Sequence, residues 1–132
     1  ITFINDSKAT SFRASESALS SLKNIFWILG GLPKQGDKIK ISKYKKKIIK
    51  CYLIGKNINY FKKQLEGKLP LSITRNLEKS MIQILKDSSL YRDRNISILF
   101  SPAAASFDQF INFEKRGEEF KKICKRYDRE FI

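Results

Sequence analysis

The chain has 132 residues, 42% hydrophobic and 12% aromatic, which suits one domain with one core and argues against disorder. Its formal charge of +14 at pH 7 raises nucleic acid as a partner. The densest cluster, KIKISKYKKKIIK over 38–50, reads instead as a solvated lysine surface: it has no arginine and only Tyr44 as an aromatic, whereas base stacking and bidentate phosphate readout favour both.

Taken in chain order, ITFIN (1–5) is a short apolar strand, and 11–22 is an amphipathic helix with Ala14, Ala18, Leu19 and Leu22 near helical spacing. NIFWILG (24–30) is apolar throughout, as a strand buried on both faces should be. A loop, GLPKQGD, leads to a short lysine-rich helix predicted around 38–47. The third strand is 48–55, followed by a helix over 57–67 that ends at Gly67. A short strand at 69–73 precedes a helix over 76–91, whose Leu77, Met81, Ile84 and Leu85 share one face. The last strand is 95–101, and the remainder is helical to about Tyr127. Gly117 lowers helix propensity there, which predicts a short turn of helix and then a longer helix.

Strands alternating with helices at this spacing predict an α/β, Rossmann-like, three-layer domain over 1–132. Its sheet should be mainly parallel, of about five to six strands, with helices on both faces. In such a sheet ligands bind beyond the carboxyl ends of the strands, so four loops matter: NDSKAT (5–10), GGLPK (30–34), GKN (55–57) and SPAAAS (101–106). Lys8, flanked by Asp6 and Thr10 near a helix start, suits a phosphate or carboxylate, although Thr10 or Ser11 also serves as a helix cap. Gly30-Gly31 permits a tight turn and close approach of a ligand, with Lys34 on the same rim. Ser106 and neighbouring N–H groups would face an anion from another helix start, while Pro102 ends the strand and the alanines allow close packing.

Several chemistries are absent. With no histidine in the chain, neither a Ser-His-Asp set nor a Cys-His nucleophile exists, and Cys51 and Cys124 have no zinc spacing and read as small core residues in a reducing compartment. There is no GxxxxGK[ST] or GxGxxG loop, so a reacting nucleoside triphosphate would be held by protein outside this sequence. No apolar run approaches the ~20 residues of a membrane span. No signal peptide is read before the first strand. The expectation is a cytoplasmic domain, and the opening at Ile1 reads as a piece of something longer.

INDSKAT, WILGGLPK, YLIG and SPAAASFDQFINFEKRGEEF, met in this order, closely resemble the C-terminal domain of the D-glutamate-adding Mur ligases. The match runs over nearly the whole chain; its first and last motifs are the specific ones, and about 39–91 match only as alternating elements. The resemblance implies an ATP- and Mg²⁺-dependent amide ligase of peptidoglycan synthesis, a monomer with no nucleic-acid or membrane partner. It would join D-glutamate to UDP-N-acetylmuramoyl-L-alanine through an acyl phosphate, with P-loop and metal ligands in a central domain absent here. By the same resemblance, Asp6 would touch the ATP ribose and Lys8 would face the phosphates or the reaction centre as the catalytic lysine. Thr10 and Lys34 would hold one carboxylate of D-glutamate; Ser106, with backbone groups at Phe107 and Phe113, would hold the other. The chain departs from the family at Leu32-Pro33, where many relatives carry a small polar pair before the lysine. A related amide ligase using another amino acid is the alternative, and a basic nucleic-acid-binding module is a more distant one.

Overall fold

The computed structural model describes residues 1–91, 94–106 and 110–128. Its strands are β1 (Thr2–Asn5), β2 (Ile25–Leu29), β3 (Ile48–Ile54), β4 (Leu71–Arg75) and β5 (Ser97–Phe100). They form one sheet in the order β1-β5-β2-β3-β4, with every pairing parallel. The helices are α1 (Phe12–Ser21), α2 (Ile58–Leu65), α3 (Leu77–Ser88) and α4 (Phe113–Tyr127).

The alternation of side chains along a strand sorts the core into two layers. Trp27, Leu29, Cys51 and Leu53 face Phe12 and Leu19 of α1 and Phe61 and Leu65 of α2. Phe26, Ile28, Tyr52 and Ile54 face Leu77, Met81 and Ile84 of α3 and Phe120 and Ile123 of α4. Each such side chain, taken from water, contributes roughly 1.5–3 kcal/mol. Because β2 is buried on both faces, it has no polar position to spare. Caps set three helix starts: the Ser11, Asn76 and Asn112 side chains accept hydrogen bonds from Ala14, Lys79 and Lys115 N–H, each typically worth about 1 kcal/mol. The three-layer α/β expectation holds, with five strands. Among the described residues no helix is long and apolar enough to cross a membrane.

Two expectations fail. The lysine-rich helix around 38–47 is instead two 3₁₀ turns, Ile41–Lys43 and Lys45–Lys47, running straight into β3. Ile41 and Tyr44, three apart, are the buried pair, a spacing that a 3₁₀ turn eclipses, while a longer helix would crowd like charges. Its lysines at 38, 40, 43, 45 and 46 are exposed, as a solvated surface requires. Second, α4 runs unbroken through Gly117. A Cβ there would sit 3.2 Å from Ser7 Cβ and 3.3 Å from the Asn5 side chain. The glycine therefore lets α4 lie directly on the end of β1, and this packing offsets its helix cost of about 1 kcal/mol.

Candidate functional site

Parallel strands put all their carboxyl ends on one edge. The connection after β1 leads to α1 on one face, whereas the one after β5 leads to α4 on the other. Neighbouring strands whose connections part in this way leave a crevice between their ends, the usual ligand position in open α/β sheets. The loops after β1, β2, β3 and β5 are stitched together there. Gly30 N–H donates to Pro102 O at 2.9 Å, and Leu32 and Ala105 exchange bonds at 2.9 and 2.8 Å. Asn57 Nδ2 donates to Gly31 O at 3.1 Å.

Asp6 is anchored to this edge. Its N–H donates to Phe100 O at 2.8 Å, and its Oδ2 accepts from the Ser101 hydroxyl at 2.7 Å. Ser101 shares a 2.6 Å hydrogen bond with Ser15 and its carbonyl accepts from Trp27 Nε1 at 2.7 Å, so a buried polar chain fixes the carboxylate. Lys8 and Lys34 are exposed and take no part in the ion pairs formed among the described residues. Thr10 is exposed, and Ser11 rather than Thr10 caps α1.

The Lys34 loop is held against the start of α1. Asp37 Oδ2 accepts from Phe12 N–H at 2.7 Å, and Asp37 N–H donates to Lys34 O at 3.0 Å. From α2, Tyr60 hydroxyl reaches Lys34 O and Asp37 O, and Gln64 Nε2 donates to Asp37 O at 3.1 Å. Thr10 and Lys34 thus sit on two segments tied two and three residues away. Ser106 is buried and its carbonyl accepts from Phe110 N–H at 2.8 Å. Phe113 opens α4, and its carbonyl accepts from Ser7 Oγ at 2.7 Å. Phe107 lies outside the described residues. A surface depression of about 450 Å³ is lined by Lys8, Phe113, Asn5, Ser7, Gly117 and Lys121 among others; Thr10, Lys34 and Ser106 do not line it.

Two of the first-turn N–H groups of α1 are engaged within the protein: Asp37 takes Phe12 N–H and Ser11 takes Ala14 N–H. The carboxylate is supplied by the protein because it lies where the helix dipole is most positive. The diglycine gives close approach to the protein's own backbone: a Cβ at Gly30 would lie 2.1 Å from Ile54 O, and one at Gly31 2.5 Å from Ala105 O. Ser106 is followed by 107–109, outside the described residues, and α4 begins at Phe113, capped by Asn112.

The sequence alone assigns no role to Ser101, Ser15, Ser7, Asn5 or Arg116. An arginine in a helix near a small-residue loop is the sole signal, and it does not distinguish a buried guanidinium from a surface one. Arg116 is only 1% exposed.

No family model matches the chain. It is 42% identical over 126 residues to UDP-N-acetylmuramoylalanine--D-glutamate ligase of Rhodopseudomonas palustris, covering 96% of the chain and 27% of that protein. The identically named ligase of Rhizobium meliloti is 42% identical over 120 residues, 91% of the chain and 26% of that protein. That of Bartonella henselae is 41% identical over 120 residues, with the same coverage. Over nearly its whole length the chain is similar to one segment of these ligases. It spans about a quarter of the length of the curated relatives it matches.

Proposed function

We propose that the chain is the C-terminal, amino-acid-binding domain of an ATP-dependent ligase that adds D-glutamate to UDP-N-acetylmuramoyl-L-alanine. One observation carries this reading: Thr10, Lys34 and Ser106 follow three different strands yet stand on one edge, joined by the Asp37–Phe12 and Leu32–Ala105 bonds, in a chain whose relatives bear that name.

D-Glutamate has two carboxylates and one amine that must be aimed. Thr10 and Lys34 would hold one carboxylate; Ser106, with backbone groups at Phe107 and Phe113, would hold the other. Each charge-assisted hydrogen bond contributes roughly 1.5–3 kcal/mol, and two separate anchors fix the direction of the amine. Asp6 would accept hydrogen bonds from the ribose of ATP. Transfer of the γ-phosphoryl group to the alanyl carboxylate releases ADP and leaves an acyl phosphate. The D-glutamate amine attacks its carbonyl carbon, the tetrahedral intermediate expels phosphate, and the amide forms as the nitrogen loses its proton. The Lys8 ammonium would stabilise charge on the phosphate oxygens, and holding the amine against the acyl carbon supplies the orientation advantage. Closure of the domain over the site would exclude water.

Among the described residues no group of three or more His, Cys, Asp or Glu is placed to hold a metal, and we assign magnesium mainly, with the P-loop, to a central domain. The expected setting is a monomeric, cytoplasmic enzyme.

The test is steady-state kinetics on the full-length protein. Lys34→Ala or Ser106→Ala should raise the KM for D-glutamate by about tenfold or more, the equivalent of one lost charge-assisted bond, and the KM for ATP far less. Equal changes for both substrates, or no change, would remove the carboxylate clamp.

A further inference from the structure

Arg116 lies one turn inside α4, facing the sheet, with its side chain almost wholly removed from water. Its guanidinium spans two loops. Nε donates to Ser7 Oγ at 3.1 Å, and Nη2 donates to Ser7 O at 2.6 Å. Nη1 donates to Ala104 O at 2.8 Å. Cζ lies 5.9 Å from the centre of the Phe100 ring, and a Cβ on Gly31 would come within 3.5 Å of Nη1. Ser7 passes the connection on, because its hydroxyl donates to Phe113 O at 2.7 Å.

Burying a guanidinium costs several kcal/mol unless its donors are satisfied, and a packed apolar residue would fill the same space without that cost. All three of these bonds end on loop groups beside candidate site residues: Lys8 follows Ser7, and Ser106 is two residues beyond Ala104. A rigid planar fork fixes the relative placement of its acceptors in a way an ammonium on a flexible stem does not. Resting on the function proposed above, we infer that Arg116 is a positioning residue: it sets the separation between the loop that bears Lys8 and the loop that bears Ser106. Phosphate-facing and carboxylate-facing groups are thereby held in register, with Ser7 as the second member of the device.

Full-length ligase carrying Arg116→Lys decides this. Misplacing reacting groups by about 1 Å costs up to a hundredfold. We therefore expect KM for D-glutamate to rise and kcat to fall, each about tenfold, with KM for the UDP-linked substrate within about twofold. Hydrogen exchange on the same protein should quicken together at the amides of 7–10 and 103–106, and stay unchanged in β2. A lower melting temperature with unaltered kinetics, or faster exchange in only one loop, would reduce Arg116 to a core residue and overturn the inference. If Arg116→Lys does not fold, Ser7→Ala replaces it. That variant removes the Nε acceptor and the donor to Phe113 O while keeping the Nη2 bond to Ser7 O, and should shift the same parameters in the same direction by a smaller factor; unchanged kinetics would overturn the proposal equally. A wild-type enzyme that fails to use D-glutamate would sink the proposed function, while the exchange measurement would still decide the role of Arg116.

Discussion

The Ser101 hydroxyl donates to Asp6 Oδ2 at 2.7 Å across ninety-five positions of sequence, joining the end of β5 to the end of β1. Because Ser15 and Trp27 hold Ser101 in turn, the carboxylate is placed by the sheet and α1 together. Ser101→Ala should lower stability by about 1–3 kcal/mol, the cost of leaving buried polar partners short of a bond. On the proposed role of Asp6 at the ATP ribose, KM for ATP should rise several-fold while that for D-glutamate changes little. Denaturant titration and substrate kinetics of the full-length enzyme check the two halves. An unchanged nucleotide KM would detach Asp6 from that role.

Gly30 and Gly36 separate crowding from backbone strain. Both have positive φ, +131° and +79°, but a Cβ on Gly30 would collide with Ile54 O at 2.1 Å, whereas one on Gly36 meets nothing within 4 Å. Gly36→Ala should cost about 1 kcal/mol, the left-handed penalty alone. Gly30→Ala must also push β3 from β2 and should cost at least about 3 kcal/mol. Similar losses in the two variants, measured by urea unfolding, would contradict this distinction.

Asp87 carries the expected acid dependence. Burial pushes its carboxyl up, but hydrogen bonds from Lys50, Tyr52 and Gln83 together outweigh that and hold it below the ordinary carboxylate value. The folded state therefore favours the ionised form. The stability this adds is fully present above roughly pH 4–5, where the unfolded carboxyl is ionised, and is lost as pH falls through the depressed folded value. The Lys50–Asp87 contact is 2.8 Å and partly exposed, so Asp87→Asn should cost only about 1 kcal/mol at pH 7. The difference from wild type should shrink in the acid limb. A constant difference from pH 7 to pH 3 would show that the carboxylate's charge contributes nothing.

Both thiols should be unreactive while the domain is folded. Burial pushes the Cys51 thiol far up, and burial with the nearby Asp128 pushes that of Cys124 up to about 12. Thiolate is the reactive form, so a thiol reagent at pH 8 should label neither until denaturant is added. Rapid labelling of Cys124 in the native protein would contradict the expected suppression.

Local pattern determined a great deal. Five strands, four helices and their order were legible because β2 is apolar at every position while the helices repeat near 3.6, and hydrophobic period is a local property of the chain. That the candidate loops share one edge was legible because a parallel sheet puts all its carboxyl ends together. Distant contacts decided the rest. Gly117 reads as a helix breaker until β1 is seen lying against it, and the diglycine reads as a ligand cradle until the Ile54 and Ala105 carbonyls fill the space. The start of α1 reads as an anion site until Asp37, twenty-five positions away, takes the Phe12 N–H. Arg116 reads as one more positive charge among many. Sequence alone determined the five strands, the four long helical segments and which loops share an edge, but not the 3₁₀ turns before β3 or the continuity of α4. Only the tertiary structure decided which polar groups bind each other, because partners for buried donors come from elements remote along the chain.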